Sequence, residues 1–472
     1  MKLALIGVGG AGTRIVDRFV RAERDTGRSV TNGNVLAFTT DPRAFDRTTA
    51  LSADRQVVLG DAHPDVTRRG AGEGNAAAGE RSRHSRAEPT EAGEGSATET
   101  APEGAPVTDG DSDGLTDAIT NYGVGGDPEL GARVAQADRP EIRRALDPIE
   151  ETDVAATMLV AGLGGGTGCG VGSVLLEELQ SIYETSVYAL GVLPATAEPD
   201  RRTLTAARGV RTFVPLADSM FLVDNEAWCS DADRVVDRYE PINAMTVERL
   251  LSVFGAGERD CGSVSEMRVD SADIQRTLDV GGVATIGRET VRVEPESRGL
   301  IARILRLIGR SPETDSTAVD ASMVKHLISR ALQSKLTLPC DITSADRVFV
   351  ILTGPPDTIS RKGFETGRYL LEEETETVEV LAGDEPIPGA PELTATVVLS
   401  NVTTVPRIER LQRRAVAIQT DGDPNDKATS ATDTERPAAT KSTDERFDRS
   451  NPDDDAASHG FDFGDTGRDL GE

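Results

Sequence analysis

Lysine, aromatic residues and positive charge in general are scarce in this chain of 472 residues. Only 6 of the 51 basic residues are lysine, aromatic residues make up 4% of the sequence, and 80 Asp and Glu residues give a formal net charge of −29. A surface with this excess of negative charge repels phosphate backbones, which argues against a nucleic-acid-binding protein. The acidic, lysine-poor composition is typical of salt-rich cytoplasms, where a Debye length of ~3 Å or less screens the self-repulsion.

Paired cysteines and long apolar runs are also missing. No two of the four cysteines form a CxxC or CxxxxC pair, which argues against a zinc or disulfide scaffold: Cys169, Cys229, Cys261 and Cys340. No apolar run reaches the ~18 residues of a membrane span. The opening MKLALIGVGG predicts a buried strand that runs into glycines rather than a signal peptide. We therefore expect a cytoplasmic protein.

Apolar and amphipathic segments alternate as in a parallel α/β sheet. Strands are predicted at residues 2–7, 35–38, 155–161, 187–192, 220–223, 347–353 and 394–402. Helices are predicted at residues 13–21, 171–182, 242–254 and 364–373.

Two segments have the composition of disordered chain. Residues 64–118 contain almost no large apolar side chains, so they bury too little surface to offset the entropy of ordering. Residues 421–472 carry 15 acids against 6 bases. We expect a disordered insertion in a surface loop and a disordered acidic tail.

A glycine-rich segment, GGGTGCG at residues 164–170, lies between a predicted strand and a predicted helix. Glycines let the backbone approach an anion closely, and the N–H groups at a helix start can cradle phosphates. Thr167 can add a hydroxyl. Because the segment lacks the lysine of GxxxxGK[ST], it predicts a phosphate held by backbone dipoles and a metal ion. The alternative is a tight turn that binds no ligand.

A second glycine turn, GVGGAG at residues 7–12, has a spacing close to GxGxxG. Alone it suggests a dinucleotide site and hence an NAD-binding dehydrogenase. The partner acid expected ~20 residues later is not evident, although Asp41 follows the second predicted strand. Two phosphate-type turns on one sheet favour a nucleotide with several phosphates over a dinucleotide.

Several segments resemble, in order, the nucleotide-binding motifs of the tubulin/FtsZ superfamily of GTP-binding cytoskeletal proteins. GLGGGTGCG resembles the superfamily signature. The three phosphate loops, the ribose-side and base-side segments and the synergy loop are matched by GVGGAG, TTDPRAF, GVGGDPELG, PATAEPDRR, DNEAW and RVDSAD. Residues 70–80 (GAGEGNAAAGE) rival residues 123–131 as the third loop. The haloarchaeal CetZ branch is resembled in particular by TLPCDITSADR, GPPDTISRKGFETGRYLLEE and VVLSNVTTVPRIERLQ.

The resemblance implies roles for individual residues at a GTP site. The phosphates would be bound by two sets of residues: Gly10, Ala11, Gly12, Thr13 and Arg14 from the first loop, and Gly165, Gly166, Thr167 and Gly168 from the signature. Glu198 would hydrogen-bond the ribose, with Arg202 nearby. Asn225 would bind the guanine edge, for which an amide offers a donor and an acceptor. The second guanine contact would be Asn243 or, in another register, Glu248; we favour Asn243.

Two acids, Asp270 and Asp273, match the synergy loop, which in this family reaches the nucleotide of the next subunit and positions the attacking water. Carboxylates can orient a water and hold a cation beside a γ-phosphate. The alternative is that both acids merely cap the following helix. Arg268 stands where the family often has asparagine. It could pair with Asp270 or contact the neighbour's γ-phosphate, and either contact bears on hydrolysis rather than on nucleotide binding.

The expected fold is α/β, with an N-terminal parallel-sheet GTP-binding domain, a central helix and a smaller C-terminal α/β domain with a mixed sheet. The expected bounds are 1–63 and 119–240 for the GTP-binding domain, 64–118 for the insertion, 241–260 for the central helix, 261–418 for the C-terminal domain and 419–472 for the tail.

The resemblance implies a protein that binds GTP or GDP with Mg²⁺, polymerises head to tail with itself and hydrolyses GTP at a subunit-shared site, in control of cell shape. An assembling structural or regulatory protein with little GTP turnover is the alternative. Related filament proteins are further candidate partners. Residues 298–310 (RGLIARILRLIGR) predict a basic amphipathic helix, which could lie on an anionic membrane surface. We favour packing of this helix on the second domain.

Overall fold

The computed structural model describes residues 1–61, 63–66, 123–229, 234–258, 268–293 and 316–422, with the backbone alone for residues 316–320 and 421–422. Four predicted features lie wholly or largely outside the described residues: the insertion at 64–118, the rival third loop at 70–80, the basic helix at 298–310 and the tail at 419–472.

Ten strands form the sheet of the described chain. They are β1 (Leu3–Val8), β2 (Val35–Thr39), β3 (Gln56–Val58), β4 (Ala156–Gly162), β5 (Ser186–Leu193), β6 (Ser219–Asp224), β7 (Val283–Arg292), β8 (Arg347–Gly354), β9 (Val380–Pro386) and β10 (Glu392–Ser400). Their order across the sheet is β3-β2-β1-β4-β5-β6-β7-β10-β8-β9.

The first six strands pair only in parallel. β1 lies between β2 and β4, and the sheet continues through β2 to β3 on one side and through β4 and β5 to β6 on the other. All six residues of β1 are buried, as expected of a parallel strand covered on both faces. The carboxyl ends of these strands therefore meet at one edge of the sheet, which confirms the predicted parallel N-terminal half.

Strand β7 joins this parallel half to the mixed half. Its first two residues, Val283 and Ala284, pair in parallel with β6. From Thr285 onward it pairs antiparallel with β10, which pairs antiparallel with β8, while β8 and β9 are parallel. The mixed C-terminal sheet is thus confirmed. The bounds of the predicted domains remain predictions, because the sheet is continuous across this junction.

Eleven helices flank the sheet in the described part of the chain. They are α1 (Gly9–Thr26), α2 (Pro128–Ala137), α3 (Arg139–Leu146), α4 (Gly172–Ile182), α5 (Asp200–Leu216), α6 (Asn225–Trp228), α7 (Val235–Phe254), α8 (Ser271–Leu278), α9 (Ser316–Gln333), α10 (Arg361–Thr375) and α11 (Pro406–Gly422). None of these described helices is both long and apolar enough to cross a bilayer.

The longest of these helices, α7, extends between the carboxyl ends and the amino ends of the parallel strands. Its 20 residues extend about 30 Å at 1.5 Å per residue. The carbonyl oxygen of Phe254, at its last turn, accepts a hydrogen bond from the nitrogen of Met1, just before β1 begins, at 2.8 Å. α7 therefore ends at the amino edge of the parallel strands. The helix begins earlier than the apolar pattern predicts, because its first turns have exposed and half-buried faces.

The core has two layers, one on each face of the sheet. Along β4, Leu159 and Ala161 join one apolar cluster, and Met158 and Val160 join the other. This alternation follows from the two-residue period of a strand. Both clusters also contain residues of β8 and β10, so the two halves of the sheet share their cores.

Candidate nucleotide-binding site

Two glycine turns begin helices at the carboxyl edge of the sheet. α1 begins at Gly9 directly after β1, and a wide helical turn, Thr167–Val171, follows β4 and leads into α4. The two N-cap residues, Val8 and Gly166, cannot bond the first turn with a side chain, and α1 has no acid there. Because N–H groups at a helix start lack intrahelical partners and lie at the positive end of its dipole, both turns suit phosphate.

The two turns are in close contact with each other and with the strands. An ideal Cβ on Gly9, whose φ is +69°, would lie 3.1 Å from the nitrogen of Gly168. A Cβ on Gly12 would lie 2.1 Å from the carbonyl oxygen of Val160, and one on Gly168 would lie 2.2 Å from that of Gly162. At Gly12 and Gly168 the absence of a side chain is therefore required by protein packing, whereas the sequence suggested only ligand approach.

Two other glycines have no such packing reason. A Cβ on Gly10 would meet only the side chain of Arg14, at 3.9 Å, and a Cβ on Gly165 would meet only the carbonyl oxygen of Gly162, at 3.7 Å. Gly10 is half-buried and Gly165 is exposed. The space beside these two glycines fits a ligand that approaches the backbone.

The remaining first-loop residues divide between the interior and the surface. Thr13 is fully buried, and its Oγ1 has no hydrogen-bond partner among the described residues; the same holds for Nε of Arg14. Burial lowers the pKa of Arg14. Ala11 and Arg14 are half-buried, like Gly10. The structure thus brings together the five predicted first-loop residues, with Gly10, Ala11 and Arg14 on the accessible side.

Threonine hydroxyls connect the signature turn to the second predicted loop. Oγ1 of Thr167 lies 2.7 Å from Oγ1 of Thr40, which follows β2 and is 1% exposed. Asp41, the acid considered for a dinucleotide site, instead caps its own short turn, with its Oδ1 accepting from the nitrogen of Arg43 at 3.1 Å. Its Oδ2 lies 2.8 Å from Nη2 of Arg43.

The third predicted loop packs on the signature turn and on Thr40 of the second loop. Gly123, Gly125 and Gly126 have φ values of +61°, +57° and +76°, which favour glycine. A Cβ on Gly166 would lie 2.5 Å from the carbonyl carbon of Gly126. Asp127 caps α2, since its Oδ1 accepts from the nitrogen of Glu129 at 2.8 Å. This placement supports residues 123–131 as the third loop.

The ribose-side segment contains a small ionic cluster. Glu198 is 8% exposed, and its Oε1 accepts from the nitrogen of Ala195 at 2.8 Å. Its Oε2 accepts from Nη1 of Arg202 and, at 3.0 Å, from the hydroxyl of Tyr239 on α7. Burial lowers the pKa of Arg202, but the contacts with Glu198 and Tyr239 together outweigh burial and raise the Arg202 pKa. Burial and the same carboxylate raise the pKa of Tyr239 to about 12.

On the base side, Asn225 presents an unpaired amide oxygen. Asn225 directly follows β6, is 5% exposed, and its Oδ1 has no hydrogen-bond partner within the described chain. Buried polar atoms nearly always have partners, so this oxygen fits a ligand that donates a hydrogen bond. Asn243 is 7% exposed in α7, against which α6 packs. Glu248 lies farther along α7 and forms an ion pair with Arg288 at 3.0 Å.

The sequence analysis did not predict a buried ion pair that involves Asp224, the residue directly before Asn225. Nε of Arg407, on α11, lies 2.9 Å from Oδ1 of Asp224, and the two side chains are 5% and 3% exposed. Nη2 of Arg407 also donates to the carbonyl of Pro194 at 2.6 Å. Arg407 thus fixes the ends of β5 and β6. No local signal could have paired two residues 183 positions apart.

The two predicted catalytic acids lie at the opposite edge of the sheet. Asp270 caps α8, with its Oδ1 accepting from the nitrogen of Ala272 at 3.2 Å, and Asp273 lies in the first turn of that helix. Nε2 of Gln275 on α8 donates to the carbonyl of Ala155 at 2.9 Å, immediately before β4. The signature turn follows the other end of β4, whose seven residues extend roughly 20 Å. Within one chain, the acids and the phosphate turns are therefore apart.

Beside these acids, Arg268 contacts its own loop. Its Nη2 donates to the carbonyl of Gly257 at 2.6 Å, and its backbone bridges Asp384 of β9. The guanidinium therefore links Arg268, shortly before α8, to Gly257, shortly after α7.

Comparisons with known proteins agree with this geometry. Residues 115–233 match the family described as the GTPase domain of the tubulin/FtsZ family, and residues 232–417 match the C-terminal domain of tubulin-like CetZ. The chain is 36% identical to the tubulin-like protein CetZ1 of Haloferax volcanii over 422 residues, which cover 89% of this chain and 93% of CetZ1.

Solved structures of the same organism's proteins are also similar. The GDP-bound CetZ1 monomer has a TM-score of 0.67 and 32% identity, covering 89% of this chain and all of the CetZ1 chain. The GTPγS-bound protofilament of CetZ2 has a TM-score of 0.66 and 27% identity, covering 90% of this chain and all of the CetZ2 chain. From its sequence, its sheet and its edge of glycine turns, this chain belongs to the CetZ branch of the tubulin/FtsZ family.

Proposed function

We propose that this chain binds GTP at the carboxyl edge of its parallel sheet, polymerises head to tail, and hydrolyses GTP where two subunits meet. The observation that carries the proposal is the separation of Asp270 and Asp273 from the phosphate turns by the length of β4. A head-to-tail contact places the amino edge of one subunit against the carboxyl edge of the next. It therefore brings these acids to a neighbour's nucleotide.

The residues at the carboxyl edge fit a guanine nucleotide. The N–H groups of the two glycine turns would bind the phosphates, with space beside Gly10 and Gly165. Glu198 would accept a ribose hydroxyl, and the unpaired Oδ1 of Asn225 would accept from the base. Asn243 is our choice for the second base contact, since Glu248 is already paired with Arg288. The GDP-bound and GTPγS-bound relatives support guanine nucleotides as the ligand class.

We propose Mg²⁺ as the metal ion. Among the described residues, no group of three or more His, Cys, Asp or Glu side chains is placed to hold a metal ion. Mg²⁺ commonly binds through substrate phosphates and water with few protein ligands, and the hydroxyls of Thr40 and Thr167 are protein oxygens beside the phosphate turns. When bound, the ion would neutralise charge on the phosphates.

The acids would act on water. A carboxylate of Asp270 or Asp273 from the next subunit would accept a hydrogen bond from the attacking water and orient it toward the terminal phosphate. The cap formed by Asp270 is compatible with this role, because a carboxylate has two oxygens and the capping bond uses one.

The Asp273→Ala variant would test whether the hydrolysis site is shared between subunits. The variant should bind GTP normally and release phosphate ~10²–10⁴-fold more slowly, as expected for loss of an acid–base group. The matched control is Asp279→Ala, at the other end of α8, which should leave turnover unchanged. Phosphate release is measured in high KCl with Mg²⁺ at rising protein concentration, with electron microscopy of the same samples.

Mixing the variants provides the sharper result. Asp273→Ala keeps its nucleotide pocket, and Asn225→Ala keeps its acids, so a mixture should recover part of the turnover. Activity per molecule that does not depend on concentration, together with no recovery on mixing, would mean that the site is complete within one subunit.

The second candidate function is assembly with little GTP turnover. It is favoured by Arg268, which stands where the family often has asparagine. Filaments with background phosphate release would support it, and Arg268→Asn should then raise turnover.

In either case we propose a cytoplasmic role in cell shape, with related filament proteins as further partners. Contact of residues 298–310 with a membrane and the lack of nucleic-acid binding remain predictions.

A further inference from the structure

The third loop lies at the end of the site where a terminal phosphate would be. Asn225 follows β6, Glu198 follows β5, and the glycine turns follow β4 and β1, which are successive strands of the sheet. A nucleotide with its base at Asn225 therefore extends its phosphates toward β1 and β2. Beyond the signature turn lie Thr40, after β2, and the third loop: a Cβ on Gly123 would lie 2.7 Å from Oγ1 of Thr40.

An arginine at the start of α5 holds this loop. Nη2 of Arg201 donates to the carbonyl oxygen of Gly125 at 2.7 Å. A Cβ on Gly126 would lie 2.2 Å from the same nitrogen, so the guanidinium occupies the space that a side chain at this position would need. The bond connects two segments 76 positions apart in the sequence.

This bond controls the direction of a backbone donor. In a trans peptide the C=O and N–H groups point in opposite directions, so the carbonyl of Gly125 and the N–H of Gly126 turn together. Both glycines have positive φ, and glycine resists such rotation less than any other residue. Successive N–H groups in this kind of turn form a concave site for anions. The contact with Arg201 therefore selects one orientation of a loop that could adopt several.

The next residue, Arg202, contacts the other end of the site. It bonds Glu198 and the hydroxyl of Tyr239, on the ribose side. The first turn of α5 thus directs one arginine toward the ribose and the other toward the third loop.

We infer that Arg201 is a positioning residue that holds the third loop in the orientation that accepts a terminal phosphate, and that it thereby makes the site prefer a nucleoside triphosphate to a diphosphate. The inference rests on the proposed GTP site. Arg201 acts through the peptide between Gly125 and Gly126 and does not touch the reacting atoms.

The test compares the affinities of the full chain for GTPγS and GDP in high KCl with Mg²⁺. Arg201→Gln should weaken GTPγS binding on the order of tenfold, the effect of losing one charge-assisted hydrogen bond, and should change GDP binding less than twofold. Arg201→Lys should recover part of the GTPγS affinity, because an ammonium group can still donate to the Gly125 carbonyl.

Arg211→Gln is the matched control. Arg211 lies on the same helix and is also exposed, but it is ten residues, or about 15 Å, farther along the helix than Arg201. This variant should bind both nucleotides like the wild type.

Two results would overturn the inference. Equal losses for GTPγS and GDP in Arg201→Gln would mean that Arg201 supports the whole site rather than the terminal phosphate, and unchanged affinities would mean that the contact has no role in binding. Wild-type protein that binds neither nucleotide would overturn the proposed GTP site, and the inference with it. The wild-type measurement therefore separates the two failures.

Discussion

The buried ion pair between Arg407 and Asp224 should be a major contributor to stability, while an exposed pair on the same helix should contribute little. Arg414 of α11 lies 2.6 Å from Asp200, closer than the 2.9 Å between Arg407 and Asp224. The side chains of the exposed pair are 36% and 56% accessible, against 5% and 3% for the buried pair. Burial therefore differs between the pairs far more than distance does.

Removing one partner of a buried pair leaves an uncompensated charge, which costs about 3–5 kcal/mol. Arg407→Met keeps much of the side-chain volume but leaves Asp224 unpaired and the carbonyl of Pro194 without its donor. We expect a loss of about 3–5 kcal/mol in the free energy of unfolding. Arg414→Met should lose about 0–1 kcal/mol, since water and salt screen exposed charges.

Neutralising the partner should reduce the loss. Arg407→Met combined with Asp224→Asn leaves no buried charge, so the double variant should lose less than the sum of the single variants. Urea unfolding at fixed KCl measures each difference from the shift in the midpoint at constant slope.

The dependence on pH has a defined sign. Burial raises the pKa of Asp224, and Arg407 opposes this rise. Without Arg407 the folded-state pKa should rise further. A carboxyl whose pKa is raised by folding binds its proton more tightly in the folded state than in the unfolded state. Its contribution to the free energy of unfolding is fully present below the unfolded pKa of ~3.9 and is lost as pH rises through the folded pKa. The loss in the free energy of unfolding caused by Arg407→Met should therefore become smaller as the pH is lowered from 7.5 to 5. Equal losses in Arg407→Met and Arg414→Met, or a deficit that grows at pH 5, would refute the reasoning.

Three further predictions concern the nucleotide edge. Asn225→Ala should weaken GTP binding much more than ATP binding in competition assays, and equal affinities for both would remove Asn225 from the base site. Gly168→Ala should lose ~1–3 kcal/mol because its Cβ would lie 2.2 Å from a carbonyl oxygen, whereas Gly165→Ala should unfold like the wild type yet bind GTP weakly. Thermal unfolding and fluorescent-nucleotide titration distinguish the two glycine variants, and equal stability losses would contradict the packing argument. Burial raises the pKa of Cys169 to about 11, so native protein at pH 8 should resist alkylation there, as mass spectrometry would detect; rapid labelling would show that the turn is open.

Local patterns in the sequence were enough to predict the architecture of the nucleotide edge. A buried apolar segment followed by glycines and an amphipathic helix predicts a strand, a turn and a helix, because each depends on neighbours along the chain. The turns after β1 and β4 were predicted in this way, whereas the mixed C-terminal sheet was expected only after the resemblance to the tubulin/FtsZ superfamily had been noted. The local sequence could not distinguish glycines that packing requires from glycines that packing does not require. Gly12 and Gly168 are of the first kind, and Gly10 and Gly165 are of the second.

Only the tertiary structure decided which distant side chains meet. Arg407 and Asp224, and likewise Arg201 and Gly125, are joined because strands and helices far apart in the sequence end at the same edge of the sheet. The same packing places the acids of α8 at the amino edge, although their spacing along the chain gives no distance in space. A sequence pattern reports the periodicity and conformation of one segment, whereas the register and order of the strands determine which segments become neighbours.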